Sequence, residues 1–168
     1  MKTKTLVYMA LFIALSIVFT RFLRITPSQS MRISMTFVVY AVCGMMFGPG
    51  VSASVAMIAD VLGFMLFPEA AQFNIGFTLS EGVTGFLFGM MKGHPGDWLR
   101  LSVILLSITV IVGMGMTTYW LTLLYEQPFG VMLISRLPGI FVNLAVRIVI
   151  LIPLMKAFEQ GVFKQEGY

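Results

Sequence analysis

Apolar blocks long enough to cross a bilayer succeed one another along almost the whole chain, and only a handful of ionisable side chains fall inside them. A membrane helix needs about 20 apolar residues at 1.5 Å rise each. With short loops, 168 residues accommodate about six such spans, at roughly 28 residues per span and connection, and leave no room for a separate soluble domain. Hydrophobic residues make up 58% of the chain and charged ones 11%, and the mean hydropathy is +0.95. The expected fold class is therefore an all-α membrane protein: one six-helix domain over residues 1–168, multi-pass in the cell membrane. An ionisable side chain inside such a helix costs roughly 2.5 kcal/mol or more, so it usually faces a cavity or a partner and marks a functional site. Here those residues are Arg21, Asp60, Glu81, Arg136 and Arg147.

The spans are bounded by turn chemistry. The predicted helices cover about 5–23, 34–47, 51–67, 77–91, 99–124 and 131–158. A polar connection, Arg24 to Arg32, follows the first. Gly48-Pro49-Gly50 is a strong turn signal, Pro68 ends the third helix, and Lys92-Gly93-His94-Pro95-Gly96-Asp97 is a loop. Gly113 and Gly115 loosen the middle of the fifth helix. Lys2 and Lys4 precede the apolar run Leu6 to Phe19 as in a signal peptide, but no small-x-small cleavage site follows, so the segment is read as a retained first helix.

Charge sets the orientation. With the N-terminus cytoplasmic, Lys2, Lys4, Lys92, Arg100, Lys156 and Lys164 fall on the inner side, and Arg24 and Arg32 on the outer side with Arg21 and Arg136 near it. The bias favours both termini inside. The outer arginines need a separate reason, and an outward-facing site for a polar or anionic ligand supplies one. The net charge of +4 does not point to nucleic acid, because the basic residues are not gathered on a soluble face. The single Cys43 permits no intrachain disulfide and reads as packing. His94 has no second histidine or cysteine nearby, so no metal site is expected. There is no P-loop, no H-E-x-x-H and no G-x-S-x-G, and no nucleophile with a base stands out. The chain is not expected to be an enzyme or to need a cofactor.

The clearest geometry lies on the sixth helix. At 100° per residue, Asn143 and Arg147 fall within about 20° of Arg136, which makes one polar stripe. Arg147, deep in the span, is expected to be buried against Asp60 or Glu81; Arg136, near the outer border, is expected to touch ligand. Glu81, with Thr78, Ser80 and Thr84, is a candidate pocket lining, and Gly82, Gly85 and Gly89 are expected to pack tightly. On the fifth helix Trp120 shares a face with Thr109, Gly113 and Thr117 and is expected in the pocket, whereas Tyr119 suits the membrane interface.

Gly44-Met45-Met46-Phe47-Gly48-Pro49, Ala59-Asp60-Val61-Leu62-Gly63, Leu66-Phe67-Pro68, Gly76-Phe77-Thr78-Leu79-Ser80 and Gly85-Phe86-Leu87-Phe88-Gly89 together resemble the substrate-binding S components of energy-coupling factor (ECF) vitamin transporters, the folate branch above all. Thr20-Arg21-Phe22-Leu23, Arg32-Ile33-Ser34, Tyr119-Trp120-Leu121 and Arg136-Leu137 fit the same pattern, so the resemblance covers roughly Leu6 to Arg147. It implies six membrane helices with cytoplasmic termini, and capture of a vitamin from outside. Its partners would be a membrane coupling subunit (EcfT-like) and two cytoplasmic ATPase subunits. Ala10 and Ala14 match the A-x-x-x-A pair that packs on the coupling subunit. Arg21, Arg32, Phe73, Phe77, Thr78, Glu81, Trp120 and Arg136 would lie near the ligand. Folate members typically carry Lys-Asn three and four residues after the sixth-helix Arg, where this chain has Gly139 and Ile140, and Asn before the Trp, where it has Met116 and Thr117. These departures tilt the expectation toward a smaller ring, hydroxymethylpyrimidine or a pyridoxine-like vitamin, with folate as the alternative. A polytopic membrane enzyme is the rival from another class; Asp60 with Glu81 would be its only carboxylate pair.

Overall fold

Local chemistry sets where each helix begins. The computed structural model describes residues 3–22, 24–28, 31–68, 74–94 and 96–160, with the backbone alone for 24–28 and 31–33. Helix α1 is Thr3–Phe22, α2 Thr36–Phe47, α3 Pro49–Leu66, α4 Ile75–Gly89, α5 Trp98–Tyr125 and α6 Phe129–Glu159. Helix α3 starts two residues before the expected Val51 because Pro49 suits a first helical position, where its missing N–H is no loss. Helix α4 starts at Ile75 because the Asn74 side chain accepts from Gly76 N–H at 2.8 Å. Asp97 caps α5 in the same way, accepting from Arg100 N–H at 3.0 Å.

The connection after α1 departs from expectation. Arg24–Ser28 (β1) and Met31–Ser34 (β2) form a small antiparallel hairpin, with Arg24 opposite Ser34 and Ile25 opposite Ile33. Helix α2 consequently begins at Thr36 rather than Ser34, since Ser34 belongs to the strand. The hairpin touches α1 through β1 and α6 through β2, so it sits over the start of α2. Helices α1, α3, α5 and α6 are long and apolar enough to cross a membrane. Helix α2, with 12 residues, is not; at 1.5 Å per residue it spans about 18 Å, and the hairpin occupies the level it does not reach.

Contacts gather the helix ends at two poles. Tyr8 of α1 stacks near Phe47 at the end of α2, with ring centroids 5.7 Å apart. Lys92 Nζ donates to the Phe47 carbonyl at 3.2 Å, and Gly96 lies beside Glu159 at the end of α6. The start of α1 and the end of α6 therefore share one pole with the 92–97 loop, and the hairpin shares the other with Asn74.

The tightest seam joins α3 to α4. A Cβ on Gly85 would fall 2.6 Å from the Ser52 carbonyl oxygen, and one on Gly89 would fall 2.1 Å from Pro49 Cα. Only hydrogen fits there, which lets the two backbones meet. Phe12, Val39, Cys43 and Val55 fill one apolar cluster. Phe88, Met91, Leu105, Ile108, Leu151 and Met155 lie in a second. Buried hydroxyls close on backbone carbonyls one turn back: Ser80 to Gly76, Thr84 to Ser80 and Thr109 to Leu105, at 2.7–2.9 Å.

Candidate substrate-binding site

On the other side of α4 the packing opens. A cavity of about 260 Å³ lies between α2, α4, α5 and α6, with Thr20 of α1 and Ser34 of β2 at its hairpin end. Three faces form it by helical spacing. Helix α4 supplies Phe77, Glu81 and Thr84; α2 supplies Thr36, Phe37 and Tyr40; α6 supplies Arg136, Gly139, Ile140, Asn143, Leu144 and Arg147. These are the i, i+3, i+4, i+7 intervals that keep side chains on one helix face. The polar stripe expected on α6 is therefore a cavity wall, about 16 Å long from Arg136 to Arg147 at 1.5 Å per residue.

Helix α5 contributes through an irregularity. Between Ile108 and Met116 it widens to π-helical bonding, and Thr117 N–H reaches back five residues to the Val112 carbonyl. Such segments insert a residue into the helical count and recur at functional sites. Here the segment presents Thr109, Val112, Gly113 and Thr117 to the cavity, and after it Leu121. Arg136 Nη1 donates across the gap to the Gly113 carbonyl at 3.1 Å and to Thr118 Oγ1 at 2.6 Å.

The charges are complementary. Glu81 lies against the Tyr40 hydroxyl, with Arg147 and Asp60 close enough to act on its charge. The Arg147 guanidinium sits 5.7 Å from the centre of the Phe37 ring, a cation–π distance. Its Nε is buried with no hydrogen-bond partner among the described residues. A carboxylate and a guanidinium thus face one aromatic-lined space inside the bundle, and they can offer a flat polar ligand acceptors and donors side by side. No group of three metal-ligating side chains occurs among the described residues.

A family model described as "ECF-type riboflavin transporter, S component" matches residues 1–160. The chain belongs to that family. It is 39% identical over 137 residues to a folate transporter FolT of Clostridium novyi (strain NT), covering 81% of this chain and 78% of the relative. A folate transporter FolT of Leuconostoc mesenteroides subsp. mesenteroides is 26% identical over 126 residues, covering 74% and 66%. Among solved structures, a crystal structure of FolT bound with folic acid superposes with a TM-score of 0.84 at 29% identity, covering 92% of this chain and 94% of that one. The all-α multi-pass membrane fold expected from the apolar blocks is the fold of this S component.

The residues expected near a ligand divide. Phe77, Glu81 and Arg136 line the cavity. Thr78 and Arg21 do not. Thr78 is one position round α4 and donates to Asp60 Oδ2 at 2.6 Å, while the Arg21 guanidinium lies over Gly63 of α3. Trp120 also misses the lining. Its indole covers Gly76, where a Cβ would fall 2.1 Å from Trp120 Cδ2, and its Nε1 is buried without a partner among the described residues. A constant 100° per residue puts Trp120 on the cavity face, but the π segment shifts the register by about one residue and brings Leu121 there instead. Arg32 lies on β2, where only the backbone is described, and Phe73 lies outside the described residues. Ala10 and Ala14 are exposed on α1, flanked by exposed Leu6, Val7, Leu11 and Leu15. Tyr40 and Thr36 were not anticipated at the cavity; their sequence signal is only that α2 begins beside the outer arginines.

Proposed function

We propose that this chain is the folate-capturing S component of an ECF-type importer, open to the outside at its hairpin pole and docking through the Ala10–Ala14 face of α1 on a membrane coupling subunit driven by ATPases. One observation carries the choice of ligand: the Glu81 carboxylate and the Arg147 guanidinium line the same aromatic-walled cavity, near enough for their charges to interact. A pterin ring presents two adjacent donors, its 2-amino group and N3–H, followed by the O4 acceptor. A carboxylate takes the donor pair and a guanidinium serves the oxygen, both as charge-assisted bonds. A flavin ring offers acceptor–donor–acceptor along the corresponding edge, so a carboxylate would meet only one donor flanked by repelling lone pairs; a hydroxymethylpyrimidine has a single ring amine and no adjacent ring N–H to complete the donor pair.

The named relatives and the folic-acid complex support folate over the small ring that the missing Lys-Asn pair suggested. Gly139 and Ile140 do make that part of the wall apolar, but Asn143 and Arg147 restore polar groups further along it. Phe37, Tyr40 and Phe77 provide ring faces for stacking. Arg136, toward the hairpin pole, is placed for the anionic end of an elongated ligand. The basic residues at the opposite pole, Lys92, Arg100 and Lys156, suit a cytoplasmic face.

The test is titration of the purified full chain in detergent with folate, riboflavin, pyridoxine and hydroxymethylpyrimidine. Folate is expected to bind tightest, and Glu81→Gln to weaken it about 10–100-fold, the worth of a hydrogen bond to a charged group. Tighter binding of riboflavin or of either small ring would overturn the reading.

A further inference from the structure

Arg136, one of the two arginines that α6 brings to the cavity, is held by a residue that does not itself line it. Elsewhere in the bundle a helix hydroxyl bonds the carbonyl four residues back, as Thr84, Thr109 and Thr122 do. Thr118 departs from this: its Oγ1 donates five residues back, to the Gly113 carbonyl, at 2.9 Å. The cause is the π segment, which ends two residues earlier and shifts the carbonyl ladder by one. A threonine hydroxyl has one hydrogen and two lone pairs. With the hydrogen committed to Gly113, a lone pair is left for Arg136 Nη1 at 2.6 Å, and the same Nη1 reaches the Gly113 oxygen at 3.1 Å. Three groups close a ring of hydrogen bonds, and Thr118, at 0% exposure, is sealed behind it.

We infer that Thr118 is a positioning residue for ligand specificity: with the π-helical Gly113 carbonyl, it fixes the Arg136 guanidinium on the cavity wall to receive a ligand carboxylate. The inference rests on the folate reading and adds to it the part of the ligand that Arg136 meets. Arginine has many rotamers, and holding one nitrogen on α5 removes most of that freedom before the ligand arrives, which is how preorganisation raises affinity. Valine fills the volume of threonine without the hydroxyl, so it would remove the shorter of the two Arg136 bonds to α5 while keeping the packing.

The experiment titrates wild type, Thr118→Val and Thr118→Ser in detergent with folate and with 6-hydroxymethylpterin, which keeps the ring and lacks every carboxylate. Thr118→Val is expected to weaken folate about 10-fold, in the range of one lost hydrogen bond to a charged group. It should leave 6-hydroxymethylpterin within twofold, and Thr118→Ser should restore folate binding. In an Arg136→Gln background, Thr118→Val should have no further effect, because the two act as one unit. Unchanged folate affinity in Thr118→Val, or an equal loss for both ligands, would overturn the inference alone. Wild type that binds neither ligand would overturn the folate reading and the inference with it.

Discussion

The two sides of α4 use polar and small residues to opposite ends. Toward α3, Gly85 and Gly89 bring backbones into contact, and Ser52 spends its hydroxyl on the Tyr40 carbonyl at 3.0 Å. Toward α5 and α6, the same helix turns Phe77, Glu81 and Thr84 to a cavity, and the facing helices are tied by the Arg136 hydrogen bonds across open space. Helix association in a membrane depends on close packing and interhelical hydrogen bonds rather than on burial from water. A closed seam therefore carries the stability, and it allows the opposite seam to stay loose and polar. The contrast separates groups that serve the fold from groups that await a ligand.

The largest effect should come from opening the closed seam. Gly89→Ala places a methyl group where Pro49 Cα already stands, and a backbone cannot turn aside as a flexible side chain does. Overpacking of this kind costs about 1–3 kcal/mol and sometimes more, so the melting temperature in detergent should fall sharply and yield with it. Gly50→Ala is the control: nothing lies within 4 Å of its added Cβ, and its melting temperature should stay close to wild type. Equal melting temperatures for the two variants would show that the α3–α4 seam is not what holds the bundle.

The open seam should respond in reverse. Neutralising both cavity charges, Glu81→Gln with Arg147→Met, removes two intramembrane charges together and strands neither. Removing both charges removes both desolvation penalties, and replacing a buried ion pair by hydrophobic residues of similar volume is often neutral or stabilising by about 1–4 kcal/mol. The double variant should melt at or above wild type without ligand, while the folate-induced rise in melting temperature disappears. A collapse of the ligand-free protein would place the pair among the residues that hold the fold, and the contrast between the two seams would fail.

The helices were legible because their signals are strong and local: apolar blocks of span length, Gly48-Pro49, Pro68, and the Gly/Pro loop before Asp97. The hairpin was not, because strands of four and five residues, one holding Pro27, leave too little pattern. At the site, Glu81 and Arg136 stood out through their cost in a membrane, and the α6 stripe followed from regular spacing. The pairing within it did not. Asp60 and Glu81 are both candidates for Arg147 in the sequence, Asp60 as a structural partner and Glu81 as pocket lining, and the packing shows Asp60 engaged by Thr78 on the α3 side while Glu81 faces the cavity. Trp120 was misplaced for a physical reason, since glycines at 113 and 115 signalled a loosened helix but not the extra residue per turn that rotates everything after them.

The smallest of these effects falls on the residue that belongs to both seams. The Tyr40 carbonyl accepts from Ser52, whose own backbone meets Gly85 in the closed seam, and its ring and hydroxyl turn to Glu81 at the cavity. Tyr40→Phe keeps the ring and the carbonyl and removes only the hydroxyl, so it cuts the link to the open side alone. The loss should match one net hydrogen bond, about 0.5–1.5 kcal/mol, read as a roughly 3–10-fold weaker folate affinity with the ligand-free melting temperature unchanged. A lower melting temperature with intact affinity would assign the hydroxyl to the fold, and would move the boundary between the two seams from α4 to the far side of α2.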